Sequence, residues 1–314
     1  MVTLILILGH FIADFPFQTA NMVKNKSKDI GVVIKHITIH LFTYLVLIGI
    51  SLYLSLIQYD FLLLITIILI CLIHFITDLI KEMLNERVNT DVNNINSYIK
   101  NLKMALLYIT DQIIHLVTIY IVVKLLLMDG SINLRQIFVA IESKNNLDLS
   151  LTAQIICSMI IVLINTYFWG YLIGLILKEF KPSNKVVETV LEGNFKSTNL
   201  NLSYQSLNFN DIDDEINAYK MLQNEDVKLN KKIIMIKDSP PKAGMWIGIL
   251  ERNLILIFCL SNNLGGIGFL VAMKALTRFK QFDDKSFAEY YLIGTMLSVI
   301  FGVIAGYLMK YIWS

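Results

Sequence analysis

Hydrophobic residues along this chain gather in long unbroken runs separated by short polar stretches, and not in the two-residue alternation of half-buried strands. A bilayer's hydrocarbon core of about 30 Å needs roughly 20 mostly apolar residues per helix. Eight runs are candidates: Val2 to Gln18, Gly31 to Ile57, Phe61 to Met83, Lys103 to Met128, Leu151 to Phe180, Ala243 to Leu260, Leu264 to Phe282, and Phe287 to Trp313. The first is the weakest, short and with Pro16 near its end. Nothing basic precedes it and no small-residue cleavage site follows, so it reads as a retained span and not a signal peptide. The predicted fold is all-α, a polytopic transmembrane helical bundle of about eight spans with one cytoplasmic insert.

Composition agrees. The chain is 55% hydrophobic and 17% charged, with a mean hydropathy of +0.61, far from the usage of soluble domains or of disordered chains. A net charge of +2 without a basic stripe gives no support for nucleic-acid binding. Cys71, Cys157 and Cys259 each fall inside an apolar run, where free thiols act as small hydrophobes.

Lysine and arginine sort by alternate loops. Lys24, Lys26 and Lys28 follow the first span, and Lys81, Arg87 and Lys100 lie between the third and fourth. Only Arg135 and Lys144 precede the fifth, a dense set runs from Lys178 to Lys242, and Ser261 to Asn263 has none. The positive-inside rule then puts both termini outside and the odd-numbered loops in the cytoplasm. Four regions follow: 1–128, a four-helix membrane domain; 129–180, a loop and the fifth span; 181–242, the insert; and 243–314, three further spans. Within the insert, Asp211 to Lys237 reads as one or two amphipathic helices and Asn199 to Asn210 as extended or irregular. It contains no nucleotide-binding motif. It reads first as a tether between membrane halves, with docking of a cytoplasmic protein as the alternative.

All five histidines lie in the first 115 residues, inside candidate spans. Their spacing adds more. His10 with Asp14, His36 with His40, His74 with Asp78, and Asp111 with His115 are pairs four residues apart, so each of the first four spans presents a two-group edge on one helix face. At 1.5 Å per residue, all four pairs fall roughly 7 to 18 Å below the cytoplasmic face. Ionisable groups facing lipid cost several kcal/mol, so these groups are expected to point inward and meet. Imidazoles and carboxylates converging inside a bundle are a ligand set for a divalent transition metal, zinc foremost. The expected ligands are His10, His36, His40, His74 and His115, with Asp14, Asp78 and Asp111 as ligand, orienting group or base. Interhelical hydrogen bonding alone, at about 1 kcal/mol or less per contact, is the alternative for any single pair.

Gln18, Lys24, Lys81 and Gln112 lie near the cytoplasmic ends of the same spans, the lysines in a position to snorkel. In the second half, Glu251, Arg252, Lys274, Arg278 and Glu289 read as an ion-pair network with one positive charge left over. Together with Lys81, Arg252, Lys274 and Arg278 are candidates for holding an anionic head group, with Glu251 and Glu289 supporting them.

The opening GHFIADFPFQTANMVKNKSK, then HITIH, HFITDLIK and DQIIH, resembles the bacterial membrane proteins grouped as domain of unknown function 3307. GMWIGILERNLILIF, AMKALTRF and EYYLIGTMLS look like the C-terminal half of longer members. The resemblance implies a bacterial inner-membrane location and no activity.

Three functions stay open. The first is a metal-dependent hydrolase of a lipid or lipid-linked phosphate, its metal held by His36, His40, His74 and His10. No serine stands out as a nucleophile. The second is a divalent-metal or proton-coupled transporter, since H-x-x-x-D is similar to ligand pairs in cation diffusion facilitators. The third is a non-catalytic scaffold. The Gly-rich last span and Gly265-Gly266-Ile267-Gly268 read as packing and turn features.

Overall fold

A computed structural model of the chain describes residues 1–90, 97–128, 149–181, 189–193, 229–233 and 243–313. The helices are α1 (Val2–Asp14), α2 (Ala20–Asn25), α3 (Ile30–Tyr53), α4 (Phe61–Thr90), α5 (Ser97–Leu127), α6 (Leu151–Leu163), α7 (Trp169–Ile176), α8 (Ala243–Leu260), α9 (Leu264–Arg278) and α10 (Lys285–Trp313). A π-helical turn, Ile164–Phe168, makes α6 and α7 one continuous rod. The chain divides into two compact units, Met1–Pro182 with Pro241–Ser314, and Ser183–Pro240.

The first unit is helical among its described residues and suits a multi-pass membrane protein. Among the described residues six segments are long and apolar enough to cross a bilayer: Ile30–Tyr53, Phe61–Val88, Ile99–Leu127, Leu151–Ile176, Ala243–Leu260 and Lys285–Trp313. The other two predicted spans are shorter than expected. Helix α1 has 13 residues and α9 has 15, against roughly 20 for a full crossing. Pro16 explains the first difference. It offers no N–H to extend the ladder, so α1 stops at Asp14 and not at Gln18.

Helix α1 is the axis of the N-terminal half. It packs on α3, α5 and α6, while α3 packs on α4 and α4 on α5. Leu4, Ile5, Leu6 and Leu8 of α1 join Tyr44 and Ile48 of α3, Ile67 and Ile70 of α4, and Ile119 and Val123 of α5 in one apolar core. Outward-facing side chains such as Phe42, Ile68, Leu72 and Leu125 are large, apolar and exposed, as lipid-facing positions are. Short polar residues set the helix starts: Thr19 accepts from Met22 N, Asp29 from Gly31 N, and Ser150 from Ala153 N.

The C-terminal half is built on α8 and α10, which pack closely on each other and on the α6–α7 rod. Gly302 and Gly306 of α10 make the approach possible. A Cβ on Gly302 would lie 2.9 Å from Ile255 Cγ2, and one on Gly306 would run into Cys259. All three cysteines are unpaired thiols.

In the second unit, β1 (Thr189–Gly193) pairs antiparallel with β2 (Leu229–Ile233), Thr189 opposite Ile233 and Gly193 opposite Leu229. The expected amphipathic helix is thus replaced by a strand over Leu229–Ile233. Five mixed residues do not fix a period, and a β-branched partner strand supplies the backbone hydrogen bonds. Arg135, Lys144 and the stretch Asn199 to Asn210 lie outside the described residues, as does the remainder of Asp211 to Lys237.

Candidate metal centre

The four i,i+4 edges meet. His10 and Asp14 come from α1, His36 and His40 from α3, His74 and Asp78 from α4, and Asp111 and His115 from α5, and all eight are buried. Helical spacing aims each pair inward, and the packing of α1 against α3 and α5 and of α4 against both brings the edges to one point.

Asp14, the last residue of α1, is at the centre. Its Oδ1 lies 3.1 Å from His36 Nε2, 3.0 Å from His40 Nε2 and 4.0 Å from His74 Nε2. His36 Nε2 and His40 Nε2 are 3.2 Å apart. Gln112 Nε2 donates to the other oxygen, Asp14 Oδ2, at 2.7 Å. Asp14, His36, His40 and His74 each direct one ligand atom into a group whose members all lie within 4.8 Å of one another.

A second group, His74, Asp78 and His115, shares His74 with the first. Asp78 Oδ2 is 3.7 Å from His74 Nε2, and Asp78 Oδ1 is 3.8 Å from His115 Nε2. Here the carboxylates already have cations. Lys26 Nζ donates to Asp78 Oδ2 at 2.9 Å, and Lys81 Nζ to Asp111 Oδ2 at 2.7 Å. Asp111 Oδ1 also lies 3.1 Å from His115 Nε2.

Gln18, with its amide oriented to satisfy both ends, donates to Asp14 O at 3.1 Å and accepts from Lys26 Nζ at 2.7 Å. His10, an expected ligand, stands outside both groups. Its Nε2 is 3.5 Å from Asp14 Oδ2 and its ring is fully buried against those of His40, His74 and His115. Asp14, one turn further along α1, takes the ligand position instead.

Lys26 is the residue that the sequence reading missed. It counted there as a loop charge, yet it is 6% exposed, whereas Lys24 and Lys28 are on the surface. The available signal was its place four residues after Met22, the buried residue of α2.

The residues of the second half divide differently from the expected network. Lys274 pairs with Glu251 at 2.7 Å, Arg278 donates to Gln281 at 2.9 Å, and Glu289 meets Lys285 at 3.8 Å on the surface. Arg252, expected to face a head group, is buried and committed elsewhere: Nε donates to Asn165 O at 2.7 Å and Nη2 to Thr166 O at 2.9 Å. Both carbonyls belong to the π-helical turn, and the planar guanidinium reaches both. Asn253 ties the same turn through Asn165 Nδ2 at 3.2 Å and Thr166 Oγ1 at 3.1 Å.

A metal ion suits the first group on two grounds. At metal–ligand distances of about 2.0–2.2 Å, the edges of a tetrahedron measure roughly 3.3–3.6 Å. The separations among Asp14 Oδ1, His36 Nε2 and His40 Nε2 come within a few tenths of an ångström of that. In addition, His74 Nε2 of this group is buried without a hydrogen-bond partner among the described residues, which is uncommon for buried polar atoms.

No curated protein and no solved structure matches the chain. Residues 2–143, which hold the whole His/Asp cluster, match the family described as Protein of unknown function (DUF3307).

Proposed function

We propose that the chain binds one divalent metal ion, zinc by ligand type, through Asp14, His36, His40 and His74, and hydrolyses a phosphate ester of a lipid or lipid-linked substrate beside the membrane surface. The observation that carries this reading is the near-tetrahedral spacing of three ligand atoms from two helices, Asp14 Oδ1, His36 Nε2 and His40 Nε2. When bound, such an ion lowers the pKa of a coordinated water to about 7 and polarises a phosphoryl oxygen.

The protein's own groups do the rest. Gln112 holds Asp14 Oδ2, so that Oδ1 faces the histidines. Thr77 Oγ1, 3.3 Å from His115 Nδ1, fixes that ring, and Asp78 with Asp111 offers carboxylates for proton transfer near the reacting atoms. Charge favours an anionic substrate. Three carboxylates against Lys26 and Lys81 leave one negative charge with the imidazoles neutral, and one divalent ion turns that into one positive charge. Lys81, whose side chain is 23% exposed, is the cluster's cation nearest to an incoming head group, and the partly exposed Lys274 and Arg278 are further candidates.

Position supports surface chemistry over transport. The cluster extends to the end of α1, where Asp14 lies close to the connection that leads to α2, while transport sites are generally at the bilayer midplane. The alternation of basic loops supports eight spans, with α1 and α9 as the short ones, both termini outside, a cytoplasmic insert and a bacterial inner membrane.

The test begins with elemental analysis of the purified protein. Bound metal that disappears in the His36→Ala/His74→Ala double variant is expected, along with metal-dependent release of head groups from lipid extracts. Ion uptake into reconstituted vesicles without head-group release would make the protein a transporter. Absence of metal from the wild type would leave the scaffold reading.

A further inference from the structure

The two ligand groups differ in what already neutralises them. In the first, Asp14 is surrounded by imidazoles and by the Gln112 amide, so its charge is left for an incoming cation. In the second, the buried ammonium of Lys26 lies 2.9 Å from Asp78 Oδ2, the oxygen nearest to His74 Nε2. A metal bonded to that oxygen would stand within a few ångströms of Nζ, in a place where water screens little.

The remaining geometry of the second group is that of a ligand set. The Thr77 hydroxyl donates to His74 O at 2.9 Å, so its oxygen accepts from His115 Nδ1, 3.3 Å away. That arrangement puts the proton of His115 on Nδ1 and leaves an Nε2 lone pair facing Asp78 and Asp111. His74 Nε2 and His115 Nε2 are both without a hydrogen-bond partner among the described residues, and both residues are at least 97% buried, with exposures of 3% and 2%. Lone pairs and carboxylates converging in this way call for positive charge, and Lys26 supplies it.

We propose that His74, Asp78 and His115 form a second divalent-metal site that Lys26 keeps closed, so that the chain binds one ion with Lys26 in place and two when its ammonium is removed. His74 then turns to the second ion, and Asp14, His36 and His40 keep the first with an open fourth position, as catalytic zinc sites do. Lys26 arrives on the connection between α2 and α3, held there by Gln18, so the device belongs to a short surface segment and not to the bundle itself. The inference rests on the metal reading above.

The experiment counts ions. The full chain is purified in detergent, stripped of metal, loaded with excess zinc, desalted and assayed for zinc per chain. Expected counts are one for wild type and Lys26→Arg, two for both Lys26→Met and Lys26→Gln, and one again for Lys26→Met/Asp78→Asn. Two ions in wild type would overturn the closure by Lys26, and fewer than two in both Lys26→Met and Lys26→Gln would overturn the second site; retention of the first ion in those variants reports an intact fold. No zinc in wild type is a separate result, which removes the metal centre and this inference with it.

Discussion

Gln112 of α5 donates to Asp14 Oδ2 at 2.7 Å across 98 residues of sequence, and by occupying that oxygen it turns Oδ1 of the same carboxylate towards His36 and His40. A group that orients a metal-bound carboxylate contributes to affinity without touching the ion. Gln112→Ala is therefore expected to weaken zinc binding about 10- to 100-fold with the ion count at saturation unchanged. Competition against a chromophoric chelator measures it, and an unchanged affinity would remove Gln112 from the site.

Binding to the folded chain alone stabilises it by mass action. Zinc at about 100 times its dissociation constant is expected to add about 2.7 kcal/mol, and a chelator to take the same amount away. In His36→Ala the response to zinc should be largely lost. Thermal unfolding in detergent with and without zinc is the measurement, and equal responses in both proteins would contradict the ligand assignment.

Arg252 carries a structural prediction of its own. Replacing it with Met removes the donor from the buried Asn165 O and the partly buried Thr166 O, and should cost about 2–4 kcal/mol. Lys at this position should recover only part, because a single ammonium does not span two acceptors as a guanidinium does. Metal content per folded chain should stay constant, since Arg252 sits on α8 and the ligands on α1, α3 and α4. A stable Arg252→Met chain would mean that the π-helical turn satisfies its carbonyls without it.

The α8–α10 contact can be probed by adding methyl groups. Gly302→Ala brings a Cβ to 2.9 Å from Ile255 Cγ2, too close for ordinary packing, and should destabilise the chain by about 1–3 kcal/mol. Gly174→Ala, where nothing lies within 4 Å, should be tolerated. Equal unfolding temperatures for the two variants would argue that α10 shifts freely on α8.

Apolar run length and the spacing of ionisable residues were enough to predict a helical membrane chain and four polar edges. Both depend on local periodicity: a run of apolar residues has one economical conformation in lipid, and residues four apart share a helix face whatever surrounds them. His36–His40 and His74–Asp78 were legible for that reason. Helix ends were less so, since Pro16 limits α1 at Asp14, and the packing of that end on α3 brings Asp14, and not His10, among the proposed ligands.

Relations between segments were decided by tertiary structure. The choice of Asp14 Oδ1 as the common point, the insertion of Lys26 beside Asp78, and the capture of a π-helical turn by Arg252 all join residues far apart in sequence. A lysine in a polar connection has the same local signature whether it faces water or a buried carboxylate; only the neighbouring helices, by excluding water and presenting the opposite charge, determine which of the two it does.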